Sequence, residues 1–123
     1  MRLILALLFL AHGIAHLPGF IVAWQLRTLP DIPYHTTVLG GAIDLGRTGI
    51  RLIGVGWLAT AIAFVAVAAA ALLSLSGWQH AAYGTIAMSL GLCALGWPDS
   101  RFGVLANSAI AAMVVAATRV KPS

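Results

Sequence analysis

Leu3-Ile4-Leu5-Ala6-Leu7-Leu8-Phe9-Leu10-Ala11-His12-Gly13-Ile14-Ala15-His16-Leu17-Pro18-Gly19-Phe20-Ile21-Val22-Ala23-Trp24 is the stretch whose reading decides the fold. It holds no Asp, Glu, Lys or Arg, and it has roughly the 20 residues that a helix needs to cross a hydrocarbon core of about 30 Å. Its start, Arg2 followed by an apolar run, has the outline of a secretory leader, but the apolar character runs on to Trp24, so we read it as a first membrane helix. Pro18 lacks an N–H, and its ring clashes with the carbonyl of Ile14, so the helix is expected to kink or break there.

The remainder of the chain continues in the same vein. Of its 123 residues, 61% are hydrophobic and 8% charged, with a mean hydropathy of +0.99. A soluble domain carries about 25% charged residues, so lipid is the expected solvent. The prediction is an all-α integral membrane four-helix bundle with a kinked or broken first helix, forming one domain over 1–123. The spans are placed at about 3–24, 50–73, 80–97 and 103–118. The long loop 25–49 contains Pro30, Pro33 and Gly40-Gly41, all breakers of regular structure. If its later part is helical, Asp44, Arg47 and Arg51 fall at i, i+3 and i+7 and form one charged stripe, with Asp44 able to pair with Arg47. The two later connections, Ser74 to Gln79 and Pro98 to Arg101, are short and force antiparallel neighbours.

The formal charge is +4, yet Arg2, Arg27, Arg47, Arg51, Arg101, Arg119 and Lys121 fall almost entirely between or beyond the apolar runs. They read as topology signals facing headgroups, and no nucleic-acid partner is expected. Four spans put both termini on one side and the long loop on the other. The basic residues are nearly balanced across the two sides, while Asp31, Asp44 and Asp99 all lie on the loop side, which favours cytoplasmic termini. Trp24, Trp57 and Trp97 gather on the loop side as an aromatic belt would. The small-xxx-small pairs Ala87/Gly91, Ser108/Ala112 and Ala112/Ala116 suit close helix packing, within the bundle or between copies. The expected partners are therefore the bilayer and other membrane helices, by self-association or with other subunits.

His12 and His16 are the sharpest chemical feature, because ionisable residues within a span are costly and usually face the bundle interior. Their i, i+4 spacing puts them on one face, where they can share a metal, pass protons or bind a polar headgroup. Alternatively, each is neutral and bonds a neighbouring helix or a carbonyl freed by the kink at Pro18. A metal site usually needs three or four ligands; Cys93 is the only further candidate at a helpful depth, with His80 roughly 13 Å away along the bundle and His35 in the loop. A second constellation, His16, Asp44, Arg51, Asp99 and Asn107, is placed by the same reading around a shallow polar pocket beside the broken helix. The plainer alternative makes Asp44, Arg51 and Asp99 headgroup anchors and turn caps, and Asn107 an interhelical bond. There is no phosphate loop, GxSxG, CxxC or HExxH, so no catalytic residue is assigned and enzymatic chemistry is not expected.

Two segments carry a resemblance. His12-Gly13-Ile14-Ala15-His16-Leu17-Pro18-Gly19-Phe20 fits HGxxHxxGF, and Trp97-Pro98-Asp99-Ser100-Arg101-Phe102-Gly103-Val104-Leu105-Ala106-Asn107 fits WxDxRFGxxAN. Together they resemble small bacterial four-helix membrane proteins, DoxX-like in layout. The resemblance implies a bacterial inner-membrane location and, for some members of that group, association with redox or quinone-linked complexes. It marks His12, His16, Asp99 and Asn107 as candidate positions. The leading expectation is an accessory subunit or oligomeric scaffold; the rival is a ligand-binding or redox protein holding a quinone, lipid-like substrate, haem or metal at His12 and His16.

Overall fold

The apolar run beginning at Leu3 is helical until its hydrogen-bond ladder fails ahead of Pro18. In the computed structural model, which describes residues 2–120, helix α1 covers Arg2–Ile14 and α2 covers Leu17–Ala23. Lys121, read above as a topology signal, lies outside the described residues. Ala15 N–H still bonds Ala11 O at 3.0 Å, but His16 N–H tightens onto Gly13 O, also at 3.0 Å. Pro18 occupies the first turn of α2, where its missing N–H leaves no broken bond. The break therefore falls at Ala15 and His16, slightly before the proline that causes it.

Three long helices complete the chain: α3, Gly46–Leu72; α4, Trp78–Leu95; and α5, Arg101–Val120. The fold is all-α apart from a hairpin of two two-residue strands in the long loop, β1 (Thr37–Val38) and β2 (Ile43–Asp44). Arg2–Ala23, Gly46–Leu72 and Arg101–Arg119 are each long and apolar enough to cross a membrane. Helix α4, the expected third span, is not among them. Its first turn is Trp78-Gln79-His80, and Thr85 and Ser89 interrupt its middle; both of these are buried, so its polarity is turned inward.

Packing runs from α1 to α3, α3 to α4, α4 to α5 and back from α5 to α1, with α2 on α3. Phe9 and Phe64 stack with centroids 6.3 Å apart, and Phe9 meets Trp78 edge-on at 6.4 Å. Leu5, Phe64 and Val114 are fully enclosed around them. The crossing of α1 and α3 depends on Gly13, where an added Cβ would lie 2.9 Å from Phe64 Cβ and 3.0 Å from the Ala61 carbonyl. Hydroxyls inside the helices are satisfied locally, as Thr60 donates to Gly56 O and Thr85 to Ala81 O, each at 2.8 Å.

The long loop departs from the expected charged stripe. Asp44 pairs with Thr37 in the hairpin register, two residues before α3, and takes no part in a helical i, i+3 contact with Arg47. Its Oδ1 accepts Gly46 N–H at 2.9 Å and the Thr36 hydroxyl at 2.8 Å. The turn wins over helix here because the carboxylate satisfies an orphan amide at the positive end of α3. The tip of the hairpin is tied down by Leu39 N–H bonding Leu95 O at 2.7 Å, which fastens the loop to the end of α4.

Two outcomes test this packing. Gly13→Ala pushes on a backbone carbonyl that cannot swing away, and should lower stability by about 1–3 kcal/mol in a detergent unfolding titration; an unchanged midpoint would show that the helices crossed more loosely. The Gly46 amide, then the Thr36 hydroxyl, hold the Asp44 carboxyl below its ordinary range. The turn is thus stabilised above the unfolded carboxylate value of about 4, and that stabilisation is lost as pH falls through the lower folded value. The Gly46 amide should accordingly be protected from hydrogen exchange at pH 6, lose protection in acid, and be unprotected at both in Asp44→Ala.

Candidate functional site

The kink leaves the His12 carbonyl without its helical donor, because His16 N–H has moved to Gly13 O. The His16 side chain supplies the replacement: Nδ1 lies 2.6 Å from His12 O. A carbonyl only accepts, so Nδ1 carries the hydrogen. On the far side of the ring, Nε2 stands 2.6 Å from Ser89 Oγ on α4.

Hydrogen placement around this centre follows from one more backbone acceptor. Asn107 on α5 is 2.9 Å from Gly103 O, so the atom there is the amide nitrogen. Its Oδ1 consequently faces His12 Nε2 at 3.0 Å, and the imidazole donates. The same amide nitrogen donates to Ser89 Oγ at 2.8 Å, leaving the serine hydroxyl to donate to His16 Nε2. The result is a closed circuit that runs in one direction: His12 ring, Asn107, Ser89, His16 and back to the His12 carbonyl. It joins α1, α5 and α4, and the His16 imidazole within it is neutral.

His16 is 2% exposed, and Ser89 and Asn107 are 0% exposed, so water does not complete this network. None of their buried polar atoms lacks a partner. Phe64 packs on both imidazoles, with centroids at 4.9 and 5.2 Å, and Trp57 covers His16 at 5.2 Å. Trp57 can lie there because Gly19 opposes it; a Cβ on Gly19 would come 2.6 Å from the indole. Cys93 Sγ sits 3.9 Å from the Asn107 amide. Among the described residues, no three His, Cys, Asp or Glu side chains stand close enough together to hold a metal ion.

The other expected members of the polar pocket lie elsewhere. Asp44 is in the hairpin turn. Arg51 sits over the Trp24 ring at 5.0 Å, while the Trp24 indole donates to Arg51 O at 2.9 Å, so this cation anchors the end of α2 to α3. Asp99 meets His35, which the sequence left as a loop residue: Nε2 donates to Asp99 Oδ2 at 3.1 Å. His35 Nδ1 faces Thr37 O at 2.9 Å and the Thr37 hydroxyl at 3.3 Å. Of the five residues the sequence reading grouped, His16 and Asn107 come together, not directly but through Ser89, which that reading missed. Thr85, Ser89 and Cys93 at i, i+4 and i+8 were the available signal.

The His35–Asp99 pair stands on the rim between two loop-side cavities. One, about 120 Å³, is lined by α2, α3 and the loop, with Trp57 and the apolar Val22, Ile32, Ile50 and Ile53 among its walls. The other, about 270 Å³, lies toward Gly40 and Trp97 and shares the same pair. Neither is lined by His12 or His16. No family model, curated protein or solved structure matches the chain.

Removing one member of the circuit strands its neighbours. Asn107→Leu should destabilise by about 1–3 kcal/mol in detergent unfolding, because Ser89 and His12 lose buried partners. In a double-mutant cycle with Ser89→Ala the two losses should be coupled by at least about 0.5 kcal/mol. Additivity within about 0.3 kcal/mol would mean that the circuit does not act as a unit.

Proposed function

We propose that this chain is a multi-pass bacterial inner-membrane protein that works as an accessory subunit or oligomeric scaffold, with its termini on the cytoplasmic side. Membrane placement is supported by three apolar helical segments and by an outer surface carrying Leu7, Leu52, Ile62, Phe102 and Leu105, each more than half exposed. Helix α4 joins them as the fourth span, since its central hydroxyls are satisfied within the bundle and need no water. Lipid on this reading covers the outer face, and the loop-side Trp24 and Arg51 pair sits at the headgroup level.

One observation carries the scaffold reading. The small-xxx-small pairs do not close the bundle: Ala87, Gly91, Ser108, Ala112 and Ala116 all face outward, and a Cβ on Gly91 would meet nothing within 4 Å. Small residues on an outer helix face let a second helix approach closely in lipid, where packing and not water drives association. The histidine circuit fits the same role, since its members are engaged with one another within the monomer. A role for His12 and His16 in holding quinone, haem, metal or a lipid-like substrate would require breaking that circuit.

Gly91→Ile and Ala112→Ile change only outward positions, so monomer stability should stay within about 0.5 kcal/mol, while a larger species on native gels of mildly solubilised membranes should be lost. Wild-type protein migrating as a lone monomer, or variants that assemble normally, would overturn the proposal. A reporter fused after residue 119 should be active only in its cytoplasmic form.

A further inference from the structure

The His35–Asp99 pair joins the loop to the α4–α5 turn, beside the Leu39 to Leu95 bond, but only weakly. The two side chains are 44% and 53% exposed, and exposed pairs of this kind add little to stability. They nonetheless line a cavity whose other walls include Trp57 and the apolar Ile32 and Ile53. A polar couple above an apolar slot is the usual layout of a small-molecule site, with the apolar walls giving affinity and the few polar atoms giving orientation.

The dimensions and chemistry narrow the occupant. A space of about 120 Å³ is slightly below the roughly 150 Å³ of a known apolar cavity that takes benzene, so nothing larger than one six-membered ring lies within its walls, and the ring fits because the cavity is open on one side. At the rim, His35 Nε2 offers a donor and the Asp99 carboxylate offers an acceptor only. A hydroxyl inserted between them takes over their direct 3.1 Å bond, accepting from the imidazole and donating to the carboxylate, and the exposed bond it replaces adds little to stability. A carbonyl would satisfy His35 alone, and a carboxylate would face Asp99 as a like charge.

We propose that the loop-side cavity is a binding site for a small hydroxylated ring of the phenol class, its ring lying between Ile32 and Ile53 above Trp57 and its hydroxyl bridging His35 and Asp99. The ligand enters from the membrane interface, where amphipathic rings concentrate, and the Leu39 to Leu95 tether holds the loop wall in place. The site is independent of the scaffold reading: it lies on the loop side, away from the outward small residues of α4 and α5.

The test uses the full chain in lipid nanodiscs with 4-fluorophenol and fluorobenzene as probes, read by fluorine NMR and corrected with empty nanodiscs. The phenol should bind saturably and about tenfold more tightly than fluorobenzene, the difference a hydroxyl with two partners makes. His35→Ala and Asp99→Ala should each erase that preference while leaving the weaker ring binding. Ile53→Trp should fill the slot and abolish binding of both probes; Ile32→Trp, a partly exposed loop position, does the same without touching a helix. Equal binding of the two probes to the wild type would show only an apolar crevice and overturn the proposal, as would unchanged phenol binding in folded Ile32→Trp. Native-gel assembly of these variants should be unaffected, which separates failure of this site from failure of the scaffold.

Discussion

The bond from His16 Nδ1 to the His12 carbonyl is the constraint on which the remaining arrangement turns. Pro18 disrupts the helical ladder, and a carbonyl stranded inside an apolar bundle costs several kcal/mol if nothing meets it. The His16 imidazole meets it from the same helix. In doing so it fixes its own tautomer, and with it what the opposite nitrogen can accept. That nitrogen takes the Ser89 hydroxyl, Ser89 takes the Asn107 amide, and Asn107 takes the His12 ring. A local backbone fault thereby specifies how α4 and α5 are seated against α1.

On the proposed membrane reading, such specification matters more than it would in water. Apolar side chains gain little by leaving a hydrocarbon solvent for one another, so close contact and hydrogen bonds decide which helix faces meet. Gly13 and Gly19 supply the close contact, admitting Phe64 and Trp57 against the kinked helix. The polar circuit supplies direction: Gly103 O and His12 O can only accept, so no member can reverse alone. His16 has both ring nitrogens engaged inside the bundle, and half-buried His12 has one.

Solvent-accessible polar groups, by contrast, gather at the loop end. There, His35 and Asp99 remain solvent-accessible, the hairpin is held to α4 by a backbone bond, and Trp57 lies between the cavity and His16. The one indole serves both regions, as cover for His16 and as a wall of the cavity.

Much of this was legible in the residues themselves. Apolar runs and breakers marked the helical segments within a few residues, and Pro18 announced the kink because its effect on the preceding carbonyl is local chemistry. The co-facial histidines and the freed acceptor followed from spacing alone. Asp44 misled, because an Asx turn and a helical i, i+3 pair draw on the same residues and only the hairpin register chooses between them. The partnership of His35 with Asp99, 64 positions apart, and the link through Ser89 depended on which helix faces met. Small-residue pairs showed that close packing was possible, but their outward direction was set by the rotation of α4 and α5. Sequence determined where the chain is helical, where it kinks and which side chains need partners; tertiary structure alone decided who those partners are, because hydrogen bonds between helices depend on rotation and depth that no local pattern encodes.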